Sequence, residues 1–167
     1  MHPETRPTAV ERLSASCNRY AERTVFVIGL TMTIIVIVQV FSRYVLNHSL
    51  FWSEEMARYL LVWLTFLGAS VAYYRGMHPG INLFQQRFSR HLKNRLRIIV
   101  HIFSLAFFAV MIWYGTEFAY FVRLQTTPAL SLPKWLVFAV IPASGALLAL
   151  HAIVFLLRDL RFGGDSA

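Results

Sequence analysis

A single cysteine, Cys17, stands in 167 residues, so neither an intramolecular disulfide nor a thiolate metal site is available. Charge is scarce too: Asp, Glu, Lys and Arg make up 14% of the chain, against about a quarter in an ordinary soluble domain. Acids are the scarcer sign, eight against sixteen Lys and Arg. No G-x-x-x-x-G-K-[ST], G-x-G-x-x-G, H-E-x-x-H or G-x-S-x-G occurs, so the phosphate-loop, dinucleotide, zincin and serine-hydrolase signatures are all missing. No enzymatic activity and no cofactor are expected. The first 23 residues hold three acids and no apolar core, so they are not read as a secretory signal, and the apolar run behind them is expected to remain as a helix.

Apolar residues are abundant, at 57%. They gather at 24–42, 59–74, 98–116 and 135–157, runs free of Asp, Glu, Lys and Arg and each near the roughly 20 residues that cross a bilayer. Four spans leave no room for a soluble catalytic domain. The basic residues lie between them: Arg6, Arg12, Arg19 and Arg23 in front, six between 75 and 97, Arg158 and Arg161 behind, twelve of sixteen in all. By the positive-inside rule both termini and the 75–97 connection are cytoplasmic. The expected organisation is an N-terminal cytoplasmic segment (1–23), one four-helix membrane domain (24–158) and a cytoplasmic tail (159–167), an all-α integral membrane protein.

The middle connection has a pattern of its own. Phe84, Phe88, Leu92 and Leu96 recur every fourth residue while Arg87, Arg90 and Lys93 occupy another arc. This predicts an amphipathic interfacial helix at about 81–96, between the second and third spans, bound to membrane lipids through its basic arc. Arg95 departs from the pattern by falling on the apolar arc. A nucleic-acid or calmodulin-type basic helix is the weaker reading, because the adjoining spans already hold the segment at a membrane.

The densest chemistry opens the second span. Ser53 suits an N-cap, followed by Glu54 and Glu55 in the first turn. On a helical wheel Glu54, Glu55, Arg58, Val62, Thr65, Ala69 and Ala72 share one arc, polar above and small below, which fits protein contact better than lipid. Arg43 lies about 29 Å of helix beyond Arg23 and reaches the same level, as does Glu117 on the third span. A structural charge network of Arg43, Glu54, Glu55 and Arg58, with Glu117 beside it, is favoured over a proton relay. Pro142 should kink the fourth helix, and Gly145 and Ala149 should admit a close neighbour. His101 and His151, at similar inferred depth on facing helices, carry the alternative of a haem b electron-transfer subunit.

Arg43-Tyr44, Asn47, Trp52-Ser-Glu54-Glu55-x-x-Arg58, Trp63, Gly68-Ala69, Ala72 and His78 together resemble the small membrane subunit, DctQ type, of tripartite ATP-independent periplasmic (TRAP) transporters. Thr127-Pro128-Ala-Leu-x-Leu-Pro133-x-Trp135 and Pro142 extend the likeness, which covers about 43–151. The resemblance implies a non-catalytic scaffold in a bacterial inner membrane. It braces a large membrane transport subunit that takes a solute, often an organic acid, from a periplasmic solute-binding protein and couples it to sodium. The absence of an internal repeat and of broken helix pairs agrees with a subunit that is not itself the transporter.

Overall fold

The computed structural model describes residues 8–76 and 90–162, with side chains at 8–76 and 95–160. Among the described residues every regular element is a helix: α1 (Ala9–Tyr44), α2 (Phe51–Tyr74), α3 (Arg90–Phe121), the short α4 (Lys134–Phe138) and α5 (Val140–Phe162). Four stretches are long and apolar enough to cross a bilayer, Ala9–Tyr44, Phe51–Tyr74, Arg95–Phe121 and Lys134–Leu160, so the chain is an all-α, multi-pass membrane protein.

The helix ends follow local chemistry. Thr8 caps α1 reciprocally: its hydroxyl accepts from the Glu11 amide, and the Glu11 carboxylate accepts from the Thr8 amide at 2.8 Å. At 36 residues, α1 is about 54 Å long and overshoots the roughly 30 Å hydrocarbon layer. It runs without a break through position 23, so residues 9–23 of the expected N-terminal segment are helical and continuous with the first span. Asn47 closes the turn to α2 at φ +52°, in the left-handed region that Asn tolerates. The Ser42 hydroxyl donates to the His48 carbonyl across the same turn at 2.7 Å.

One expectation changes here. Ser53 is not the cap of α2: Leu50 holds that position, and Ser53 sits one turn inside, fully buried, its hydroxyl donating to the Leu50 carbonyl at 2.7 Å. As expected from Pro142, the fourth span is interrupted, at Ala139 between α4 and α5. Pro142 has no amide hydrogen to offer the carbonyl four residues back, at Phe138, so the helix is discontinuous one turn before the proline.

Of the predicted interfacial helix, Arg90, Leu92, Lys93 and Leu96 belong to the first turns of α3, continuous with the third span. Phe84, Arg87 and Phe88 lie outside the described residues.

α5 is the central helix and packs on α3, α2 and α1, while α2 also packs along α1. Tyr73, Phe108, Leu148 and Ala152 form the buried core, with the Tyr73 and Phe108 rings edge-on at 5.5 Å. Two glycines let α3 and α5 approach. A Cβ on Gly115 would stand 2.9 Å from Ile141 Cγ2 and 3.2 Å from the Pro142 nitrogen, and one on Gly145 3.1 Å from Ile112 Cγ1. The close neighbour expected for Gly145 is therefore α3 of the same chain.

Candidate functional site

At the end of the bundle where α2 begins, the outer end in the topology expected from charge, the two adjacent acids of α2 turn to different partners. Glu54 faces outward, 3.2 Å from Arg58 Nη2 and 3.9 Å from Arg43 Nη2, and all three side chains are exposed. Glu55 points the other way. Its Oε1 accepts from the Tyr59 hydroxyl, and its Oε2 accepts from the amides of Ala129 at 2.6 Å and Leu130 at 3.0 Å.

The loop that Glu55 holds is itself closed. The Thr127 amide donates to the Leu132 carbonyl at 2.9 Å, the Leu132 amide to the Thr127 hydroxyl at 3.0 Å, and the Lys134 amide to the Gln125 carbonyl at 2.9 Å. Thr127 is buried, and Ser131 takes φ +52° to complete the turn. Glu55 thus supplies an anion to two successive amides and fixes the loop against α2.

The expected network therefore divides. Arg43, Glu54 and Arg58 form an exposed row that Glu55 does not join, because neighbouring helical side chains diverge by 100°. Glu117 is exposed on α3 and makes no hydrogen bond or ion pair with another described residue. The two ends of the resemblance are separate motifs in the sequence; the chemistry joining them is a carboxylate and backbone amides, and an amide leaves no mark in a sequence.

Below the charges, α2 leaves a narrow stripe uncovered. Leu61, Thr65 and Ala69 are exposed along the line of Glu54 and Arg58, while Val62 and Ala72 are partly covered. A Cβ on Gly68 would meet nothing within 4 Å. Trp52 is exposed at the outer end and Trp63 is half-buried further in. The opposite side of α2 is turned inward through Ser53, Leu67, Ser70 and Tyr73.

The opposite end, the inner one in the same expected topology, carries a polar layer that the sequence does not announce. Arg75 on α2 meets Glu22 on α1 at 3.0 Å, and Glu11 on α1 meets Arg158 on α5 at 3.8 Å. Asp159 on α5 meets Arg97 and His101 on α3 at 3.7 and 3.4 Å, and His101 Nδ1 lies 3.2 Å from the Tyr73 hydroxyl of α2. These contacts make a closed circuit through α2, α1, α5 and α3. Inside it, His151 is fully buried with Nδ1 2.7 Å from the Ser14 hydroxyl, and its ring lies 5.0 Å from that of Tyr74. Both nitrogens of His101 and one of His151 are thus engaged within the bundle, and the geometry lends the haem alternative no support. Among the described residues no group of His, Cys, Asp and Glu is placed to hold a metal ion.

Residues 32–162 match the family described as tripartite ATP-independent periplasmic transporters, DctQ component. The chain is 29% identical over 115 residues to the isethionate TRAP transporter permease protein DctMQ of Oleidesulfovibrio alaskensis, a match covering 68% of this chain and 18% of that protein. It is 30% identical over 103 residues to the C4-dicarboxylate TRAP transporter small permease protein DctQ of Rhodobacter capsulatus, covering 60% and 45%. With the sialic acid TRAP transporter small permease protein SiaQ of Vibrio cholerae the identity is 28% over 81 residues, covering 48% and 47%. The chain spans less than half the length of each of these three relatives.

Proposed function

The chain belongs to the DctQ component family of tripartite ATP-independent periplasmic transporters, and from that premise we propose that it is the non-catalytic small subunit that braces a larger transport subunit. The larger subunit moves the solute with sodium, having received it from a periplasmic binding protein. The solute class is an organic acid, in line with the isethionate, C4-dicarboxylate and sialic acid in the names of the relatives.

The observation that carries the reading is the open stripe of α2. Charges at a membrane boundary above small residues at membrane depth are poor lipid contacts and good helix contacts. The stripe is left uncovered although the other side of the same helix is packed. Trp52, Trp63, Gly68, Ala69 and Ala72 flank or form that surface, and Arg43, Glu54 and Arg58 orient its outer end. Glu55 contributes indirectly, by holding the loop beside it.

In this arrangement the protein lies in the bacterial inner membrane with both termini cytoplasmic, and the first turns of α3 enter the inner headgroup layer. Cysteine labels at Phe84, Phe88 and Leu92 are then lipid-protected while those at Arg90 and Lys93 are water-accessible. The deciding experiment co-purifies the two membrane subunits and measures sodium-driven uptake for Arg58→Ala, Glu54→Gln and Gly68→Leu. The scaffold reading expects the complex and the uptake to fall together. An intact complex with lost uptake would refute it.

A further inference from the structure

The first half of α1 has three distinct arcs. Ser14, Asn18 and Ala21 are buried against the bundle. Arg12, Arg19 and Arg23, at spacings of seven and four, fall within about 40° of one another on the wheel and are all exposed. Leu13 and Tyr20 form a third arc, 55% and 69% exposed.

The three arginines have no acidic partner among the described residues. Arg19 reaches only the Ser16 hydroxyl, at 3.3 Å. The acids Glu11, Glu22 and Asp159 pair with other arginines, Arg158, Arg75 and Arg97 respectively. The inner ion-pair circuit thus segregates charge, drawing the carboxylates into the bundle and leaving a basic row outside.

Depth decides what such a row meets. A straight continuation of the first span would carry Arg12 about 16 Å past Arg23, beyond the headgroup layer. The contacts are shallower than that. Ser14 hydrogen-bonds His151, six residues before the end of the fourth apolar run, and Glu11 pairs with Arg158 just after it. The first turns of α1 therefore travel beside the inner end of α5, and the row passes along the membrane boundary.

We propose that Arg12, Arg19 and Arg23 form a docking stripe for anionic phospholipid headgroups of the inner leaflet, with Leu13 and Tyr20 seated at the acyl boundary beside it. Basic and apolar arcs side by side on one exposed helix face match the charge and the polarity gradient of a lipid surface. An acidic protein segment or a nucleic acid would match only the charge. The inference does not depend on the transporter reading.

The test uses the full chain in nanodiscs of phosphatidylcholine containing phosphatidylglycerol, with retained lipid counted by native mass spectrometry. Each basic residue near the surface is worth roughly fivefold (about 1 kcal/mol), so the triple variant Arg12→Gln, Arg19→Gln, Arg23→Gln should lose on the order of 100-fold in preference for phosphatidylglycerol. The three Arg→Lys changes should keep most of it. Arg123→Gln and Lys134→Gln, which remove basic charge at the outer end, should leave it intact. The single Gln variants, each about fivefold weaker, serve should the triple fail to fold. No preference in the parent protein, an unchanged preference in the inner triple, or a loss in the outer pair equal to that of two inner arginines would overturn the proposal.

Discussion

Replacing Gly115 by alanine inverts the usual rule for helices. In an uncrowded helix, Gly→Ala stabilises by about 0.5–1 kcal/mol, because alanine loses less backbone entropy on folding. At Gly115 the new methyl lies 2.9 Å from Ile141 Cγ2, 3.0 Å from Pro142 Cδ and 3.2 Å from the Pro142 nitrogen. Ordinary carbon contacts are about 3.5–4.0 Å, so the shortfall is on the order of 0.5–1 Å. The Ile141 side chain has rotamers to choose from. The proline ring and backbone have none, so α3 must move away from α5.

Overpacking of this kind costs about 1–3 kcal/mol, and against a propensity gain of about 0.5–1 kcal/mol it leaves a net loss of roughly 0–2.5 kcal/mol, centred a little above 1. Gly68 is the internal control, since nothing lies within 4 Å of its added Cβ, and Gly68→Ala should stabilise the isolated subunit by about 0.5–1 kcal/mol. Thermal unfolding of the purified chain followed by circular dichroism reads both, at about 2–4 °C per kcal/mol for a protein of this size. A Tm for Gly115→Ala at or above that of the parent would refute the reasoning, because the α3–α5 approach would then not be limited by backbone.

Glu55→Gln should speed amide hydrogen exchange at Ala129 and Leu130 while leaving helical amides of α2 unchanged, since only the loop loses its anionic acceptor; unchanged exchange would mean that the loop holds itself. Ser14→Ala leaves His151 Nδ1 buried without its partner and should lower stability by about 1–3 kcal/mol in chemical denaturation, whereas the neighbouring exposed Leu13→Ala should change it far less. Asp159→Asn breaks the α5 to α3 link of the inner circuit, and proteolysis of the purified chain should then cut near the inner ends of α3 and α5 sooner than in the parent; equal cleavage rates would show that packing alone holds that end.

The number of spans, their approximate limits and the all-α class were legible in the sequence because length and apolarity are properties of a single run, independent of what the run packs against. The exposed arc of α2 was legible for a similar reason, since 100° per residue places Glu54, Arg58, Thr65 and Ala69 on one side whatever surrounds them. Which helix covers a face is not a local property. Glu54 and Glu55 are adjacent in sequence, yet one joins an exposed row of arginines and the other holds a loop 74 residues away. Only the return of the chain through α3 brings those amides within reach. His101 and His151 read alike as histidines near the inner ends of two spans. Packing gives one to Asp159 and Tyr73 and buries the other against Ser14. Ser53 looks like a cap because serine before acids suits a helix start, but Leu50 takes that position and the buried Ser53 hydroxyl donates to its carbonyl from within the first turn. Sequence alone determined what each segment had to do in a bilayer. Tertiary structure decided which polar groups were satisfied inside the chain, because a hydrogen-bond partner distant in sequence is chosen by three-dimensional proximity and leaves no periodic trace.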